Sequence, residues 1–199
     1  MKPKLYNTQR CPYARRTRMV LHEKGIDFDV HEVDLSNKSE EFLSASPTGK
    51  VPVVVVDGDS IYESNVVNQY LDEVFESPRL LPEDPKQRAY ARIWMASADD
   101  NFFPAVFVAS VGRERGFSEE SIAEALESLK RSLAALEERL GDGREYLANG
   151  FSLADIAHAG NFVRLRELAE GGEVELADYP NVVDWREKIE ARESFRAAG

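Results

Sequence analysis

A small α/β domain followed by an all-helical domain is the architecture this sequence predicts, and three observations carry it. Strand and helix patterns alternate through the first 75 residues, a proline-bearing stretch follows at 76–85, and helical periodicity alone governs the rest. Alternation of this kind implies a βαβ unit, two parallel strands joined by a right-handed crossover. The predicted boundaries are 1–77 for the α/β domain, 78–85 for a linker and 86–199 for the helical domain.

Residues 4–6 form a short strand candidate. A helix follows over 12–24, with Ala14, Thr17, Val20 and Leu21 at helical spacing and Lys24-Gly25 as a C-terminal stop. Ile26, Phe28 and Val30 alternate with Asp27, Asp29 and His31, which predicts a strand. A short helix or turn occupies 39–43. Four consecutive valines at 53–56 mark a strand buried on both faces. Asp57-Gly58 supplies a tight turn into a second strand at 60–62, making a hairpin. Ser64 opens a helix reaching about Phe75, with Val67, Tyr70, Leu71 and Val74 on one face. Pro78, Pro82 and Pro85 punctuate the linker. Beyond it, helical patterning runs over 86–111, interrupted by Pro104. Another helix begins at Ser118 and carries the stripe Ala123, Leu126, Leu129, Leu133, Leu136, Leu140 up to Gly141. Two more cover 152–168 and 181–192, the last opened by Pro180.

Composition narrows the function classes. The 199 residues are 43% hydrophobic, enough to bury a core without staples. A net charge of −11 repels phosphate backbones and anionic lipid, so nucleic-acid and membrane partners are not expected. No apolar run approaches the roughly 20 residues a spanning helix needs. The N-terminus lacks a signal-peptide pattern, and a single cysteine fits a reducing, cytoplasmic setting. The three histidines, His22, His31 and His158, show no metal spacing, so no metal is expected.

The segment richest in chemistry is Arg10-Cys11-Pro12-Tyr13-Ala14. Proline suits the first helical position, because its missing N–H has no partner there in any case. Cys11 therefore falls at the N-cap, where free N–H groups and the positive end of the helix dipole favour a thiolate. Arg10, Arg15 and Arg16 add positive potential. Ala14 stands where a Cys-x-x-Cys pattern would place a second thiol, so no internal disulfide can form. Redox chemistry at Cys11 must then use a thiol from solution, through a mixed disulfide. The plainer alternative is a small buried cysteine that fills space.

Two further segments suit a peptide-like ligand. Val51-Pro52 sits just before the valine strand. A cis peptide there would offer the Val51 N–H and C=O to an extended ligand, whereas a trans proline would simply open the strand. Ser64 is a candidate N-cap whose helix N–H groups could take a carboxylate, and Glu63 beside it could accept from an ammonium. Together they match an α-amino acid end. Ser152-x-x-Asp155 reads as a helix cap and a folding feature. Tyr6, Phe103 and Phe107 read as core aromatics.

In this order the segments resemble the cytosolic glutathione S-transferase superfamily. The stretches that carry the likeness are 11–18, Lys24-Gly25-Ile26, 49–53, Ile61-Tyr62-Glu63-Ser64, 70–73, 151–157 and, less specifically, Tyr179-Pro180-Asn181 with Trp185. The cysteine is similar to that of the omega-like, cysteine-type branch, related to stringent starvation protein A. The resemblance implies a thioredoxin-like N-terminal domain, a helical C-terminal domain and a homodimer. It implies glutathione as co-substrate, Cys11 as the thiol forming the mixed disulfide, Lys38 at the glycine end, Val51 before a cis-proline at Pro52, and Glu63 and Ser64 at the γ-glutamyl end. The expected activity is glutathione-dependent thiol transfer, reduction or conjugation on a disulfide or electrophilic small molecule. The alternative is a non-enzymatic regulator of the starvation-protein type that binds RNA polymerase.

Overall fold

A four-stranded mixed sheet with strand order β2-β1-β3-β4 organises the N-terminal part of the chain, formed by β1 (Lys4–Asn7), β2 (Asp29–Glu32), β3 (Val53–Val56) and β4 (Asp59–Tyr62). The computed structural model describes residues 2–199. β1 and β2 are parallel and joined through α1 (Pro12–Glu23), while β3 is antiparallel to both β1 and β4. Tyr6 pairs with Val53 and Leu5 with Val54. Side chains alternate across a strand, so the two pairs face opposite sides of the sheet. On the Tyr6 side, Phe42 and Ala45 of α2 (Glu40–Ala45) join Val33, Val51 and Val53 in a buried cluster. α3 (Ser64–Val74) packs against α1 and the β3–β4 hairpin.

Local chemistry accounts for these elements. Pro12 starts α1, and Gly25 at φ +60° ends it, with Gly25 N donating to His22 O and Ile26 N to Leu21 O in a Schellman arrangement. Asp57 and Gly58 both have positive φ, 51° and 94°, which makes the hairpin turn type I′. Three differences from expectation have simple causes. The strand expected from Ile26 lies at Asp29–Glu32 and is exposed along its length, because 24–26 are spent on closing α1. In the valine run, Val55 is only partly buried. The inward face of α3 is Ser64, Val67, Asn68, Leu71 and Asp72, with Val74 exposed.

The chain divides into two units, residues 1–81 with 192–199, and residues 82–191. The expected helical domain of 86–199 thus loses its last eight residues to the first unit. The physical reason is a set of bonds to α1: Arg192 donates to both oxygens of Glu23 at 2.7 and 2.8 Å, and Arg15 stacks on Phe195 of α10 (Glu193–Ala197) at 4.2 Å. Burial acts to raise the Glu23 carboxyl, but the bonds from Arg192 and Ser194 hold it below the usual range. This contribution to stability is present above the unfolded value of about 4.3 and lost as pH falls through the folded one.

The second unit is helical: α4 (Pro85–Ser97), α5 (Phe103–Arg115), α6 (Glu119–Leu140), α7 (Leu153–Ala159), α8 (Phe162–Glu170) and α9 (Pro180–Glu190). A π-helical turn at Ala98–Phe102 separates α4 from α5, which places Pro104 in the first turn of α5, where its missing N–H is harmless. α5 and α6 cross closely at Gly112, where a Cβ would lie 2.8 Å from Ile122 Cγ1. The buried face of α6 is Ile122, Ala125, Leu129, Leu133, Leu136 and Leu140, so the stripe begins one residue earlier than Ala123. Gly160 divides the expected 152–168 helix into α7 and α8. Phe103 is buried, whereas Phe107 is exposed beside Arg164. Among the described residues no helix is long and apolar enough to cross a membrane.

Candidate functional site

Between the end of β1 and the start of α1 the chain makes a tight turn that carries the only cysteine. Cys11 N donates to Thr8 O at 2.9 Å, and Thr8 Oγ1 donates to Val33 O at 2.9 Å. Glu32 accepts from Gln9 N at 2.6 Å and from Asn7 Nδ2 at 2.7 Å. Cys11 takes an extended backbone, φ −77° and ψ 117°, and its carbonyl accepts the first helical bond, from Arg15 N at 2.9 Å. It is thus the N-cap of α1, but its sulfur makes no capping bond. Instead Sγ lies half-buried, 3.8 Å from Val51 O, against the cluster of Tyr6, Phe42, Val51 and Val53. The residue is partly exposed and occupies the N-cap, the end of the helix where N–H dipoles converge.

Val51 and Pro52 are joined by a cis peptide, and both are buried just before β3. The preceding turn is closed by Ser46 Oγ, which donates to Lys50 O at 2.8 Å and accepts from Lys50 N at 3.1 Å. Gly49, at φ +62°, lies under Lys38: a Cβ there would be 3.2 Å from Lys38 Nζ. The exposed Lys38 ammonium therefore lies beside the turn that leads into Val51.

At the start of α3 the expectation for Ser64 needs correction. Glu63 is the N-cap, and its carbonyl accepts from Val66 N at 2.8 Å and Val67 N at 2.9 Å. Ser64 is the first helical residue, buried, and its Oγ accepts from Arg16 Nη1 at 3.3 Å rather than from the helix backbone. The Ser64 hydroxyl proton is therefore free to point elsewhere. Glu63 is exposed and held at φ +66°, ψ 110°, an unfavourable region for any residue with a Cβ. Such strain costs about 1–3 kcal/mol and clusters at ligand sites. Glu63→Gly is accordingly expected to raise the melting temperature; a lower melting temperature would contradict the strain.

Sequence reasoning treated Arg16 only as nearby positive potential. In the structure it is fully buried and ties α1 to the start of α3. The available signal was the run 16–21, where two arginines interrupt an inward-facing stretch of helix. Tyr6 is buried as a core aromatic, with its hydroxyl donating to Glu41 at 2.8 Å.

Comparison with known proteins adds the following. Residues 10–74 match the family described as glutathione S-transferase, N-terminal domain, and residues 99–193 match glutathione S-transferase, C-terminal domain. The chain is 36% identical to glutathione S-transferase U28 of Arabidopsis thaliana over 190 residues, 94% of this chain and 83% of that protein. Its fold is similar to that of glutathione transferase Omega 3C from Trametes versicolor, with a TM-score of 0.88, 29% identity, and coverage of 100% and 89% of the two chains. It is also similar to a glutathione S-transferase from Methylobacillus flagellatus solved with GSH bound, with a TM-score of 0.86, 31% identity, and coverage of 100% and 99%.

Proposed function

Because this chain belongs to the glutathione S-transferase family, we propose that it is a glutathione-dependent thiol transferase working through the Cys11 thiolate. One observation carries the choice of residue. The single sulfur of the cysteine type stands at the N-terminus of α1, half-buried, 3.8 Å from the carbonyl of Val51. In this reading glutathione runs along the Val51 backbone as an added extended strand. Its γ-glutamyl carboxylate takes the start of α3 and the Ser64 hydroxyl, its ammonium takes Glu63, and its glycine end takes Lys38. Arg16, beneath Ser64, adds positive charge to that carboxylate site.

The exchange balances in two displacements. The Cys11 thiolate attacks the glutathionyl sulfur of a mixed disulfide, forming Cys11–S–SG and releasing the substrate thiolate. A second glutathione thiolate then attacks that sulfur, releasing glutathione disulfide and restoring the Cys11 thiolate. Since no second cysteine exists to form an internal bridge, glutathione must resolve the intermediate. A cysteine-type, omega-like assignment, a cytoplasmic setting and a homodimer belong to the same reading; a sedimentation mass of one 22.4 kDa chain would remove the dimer.

Oxidised glutathione is expected to add one glutathionyl group to the wild-type chain by intact mass spectrometry, and none to Cys11→Ala. The variant should lose turnover on hydroxyethyl disulfide while still being retained on immobilised glutathione. Equal turnover by wild type and variant would defeat the assignment. Binding with no turnover in either would favour a regulator that keeps the fold.

A further inference from the structure

Arg18 contacts none of the groups assigned to glutathione, yet it is the most heavily bonded side chain near the thiol. It lies on α1 about two turns beyond the Cys11 N-cap and is almost wholly buried. Nη1 donates to Asn7 Oδ1. Nη2 donates to Gln9 O at 3.0 Å and to Ala198 O at 2.8 Å, and Nε donates to Ala198 O at 3.1 Å. One planar group thereby grips the end of β1, the turn that delivers Cys11, and the returning C-terminal segment. The same turn is held from its other side by Glu32, through Asn7 Nδ2 and Gln9 N.

We propose that Arg18 is a positioning residue for Cys11: it fixes the 7–11 turn so that Sγ is presented at Val51 O. Two arguments carry this beyond a packing role. First, the fork spans three acceptors on separate segments, and only the rigid, five-donor guanidinium can do so; a lysine ammonium is a single point. Second, among the described residues the buried charge is not balanced by a carboxylate in direct contact. Burial and the neighbouring Arg15 both disfavour it, while Glu32, which holds the same turn from its other side, favours it. The inference rests on the thiol-transfer reading, in which Cys11 must be held ready to attack.

The test uses the full chain with Arg18→Lys and Arg18→Met. Far-UV circular dichroism and melting establish which variants are folded at the assay temperature, and Arg18→Lys carries the test if Arg18→Met does not fold. Two quantities are read: the rate of Cys11 alkylation by iodoacetamide, and kcat and KM for glutathione with hydroxyethyl disulfide. A small displacement of a reacting group costs up to about 100-fold in rate, so both variants should lose about tenfold or more in alkylation and in kcat. KM for glutathione should stay within about threefold, because the Glu63 and Ser64 contacts are left intact. A residue that only supported folding would lower the melting temperature and leave the rates of the folded protein unchanged. Alkylation in folded Arg18→Lys equal to or faster than in wild type overturns the proposal. Alkylation needs no glutathione. Slowed alkylation without any Cys11-dependent turnover in the wild type would therefore uphold Arg18 and reject the thiol-transfer reading.

Discussion

Replacing Asp155 with alanine is expected to deprive the helical unit of most or all of its stability. The carboxylate is fully buried and accepts four bonds, each at 2.9 Å, from Leu147 N, Ser152 N, Ser152 Oγ and Trp185 Nε1. It closes the capping box of α7, joins the segment before that helix to it, and anchors the buried Trp185 of α9. Alanine leaves three buried N–H donors without acceptors, at about 1–3 kcal/mol each. The sum approaches the roughly 5–15 kcal/mol that stabilises a whole domain. Asp155→Asn would be little better, since the new NH₂ group would face donors. Burial pushes the Asp155 carboxyl above its ordinary value, and the four donors pull it back. With the folded value raised, this group's contribution is complete below the unfolded value of about 3.9 and falls as pH rises through the folded one. Asp155→Ala should therefore lose stability more steeply on the acid side, where this group's contribution is complete, as well as show a lower urea midpoint. A midpoint matching that of wild type would refute the four-bond account.

The second large effect is expected at Asp72. Lys24 Nζ lies 2.9 Å from Asp72 Oδ1 and donates to Pro78 O at 2.6 Å, with side-chain exposures of 0% and 6% for Lys24 and Asp72. The two carboxylate oxygens also accept from Leu80 N at 2.7 Å and Leu81 N at 2.9 Å. This one acid therefore pins the end of α1 and the 78–81 segment to α3. Asp72→Ala strands an ammonium in the interior, which costs about 3–5 kcal/mol when one partner of a buried pair is removed. The double variant Lys24→Met/Asp72→Leu should recover part of that loss, because two apolar groups are tolerated where one lone charge is not. Recovery should be incomplete, since the Leu80 and Leu81 N–H groups stay unpaired. Denaturant unfolding of the three proteins measures both quantities; a single variant within about 1 kcal/mol of wild type would count against the pair's role.

Much of the site was legible because its signals are short-range. Cys11-Pro12 places a thiol at a helix start whatever surrounds it, and Val51-Pro52 before four valines marks where a strand opens. Ser152-x-x-Asp155 was readable as a cap, although nothing in the spacing revealed Trp185 as another donor. Ser64 was misjudged as the N-cap because serine is the usual choice there. The left-handed backbone of Glu63 moved the cap back by one residue and freed Ser64 to meet Arg16. The start of the α6 stripe was displaced because the close crossing at Gly112 turns Ile122 inward.

By itself the sequence determined where most helices and strands begin and end, which half is α/β and which is helical, and that the one cysteine stands at a helix start. These follow from signals spanning a few residues: a proline, a cap, a glycine of positive φ, an apolar period. Only the tertiary structure decided the partners of the buried charges. Arg16 meets Ser64 48 residues away, Lys24 meets Asp72 at the same separation, and Arg18 meets Ala198 across 180. Loop-closure entropy grows only slowly with length, so sequence distance barely discriminates among such partners. The choice falls to whichever acceptors the packed core brings beside a charge that cannot be left unbonded.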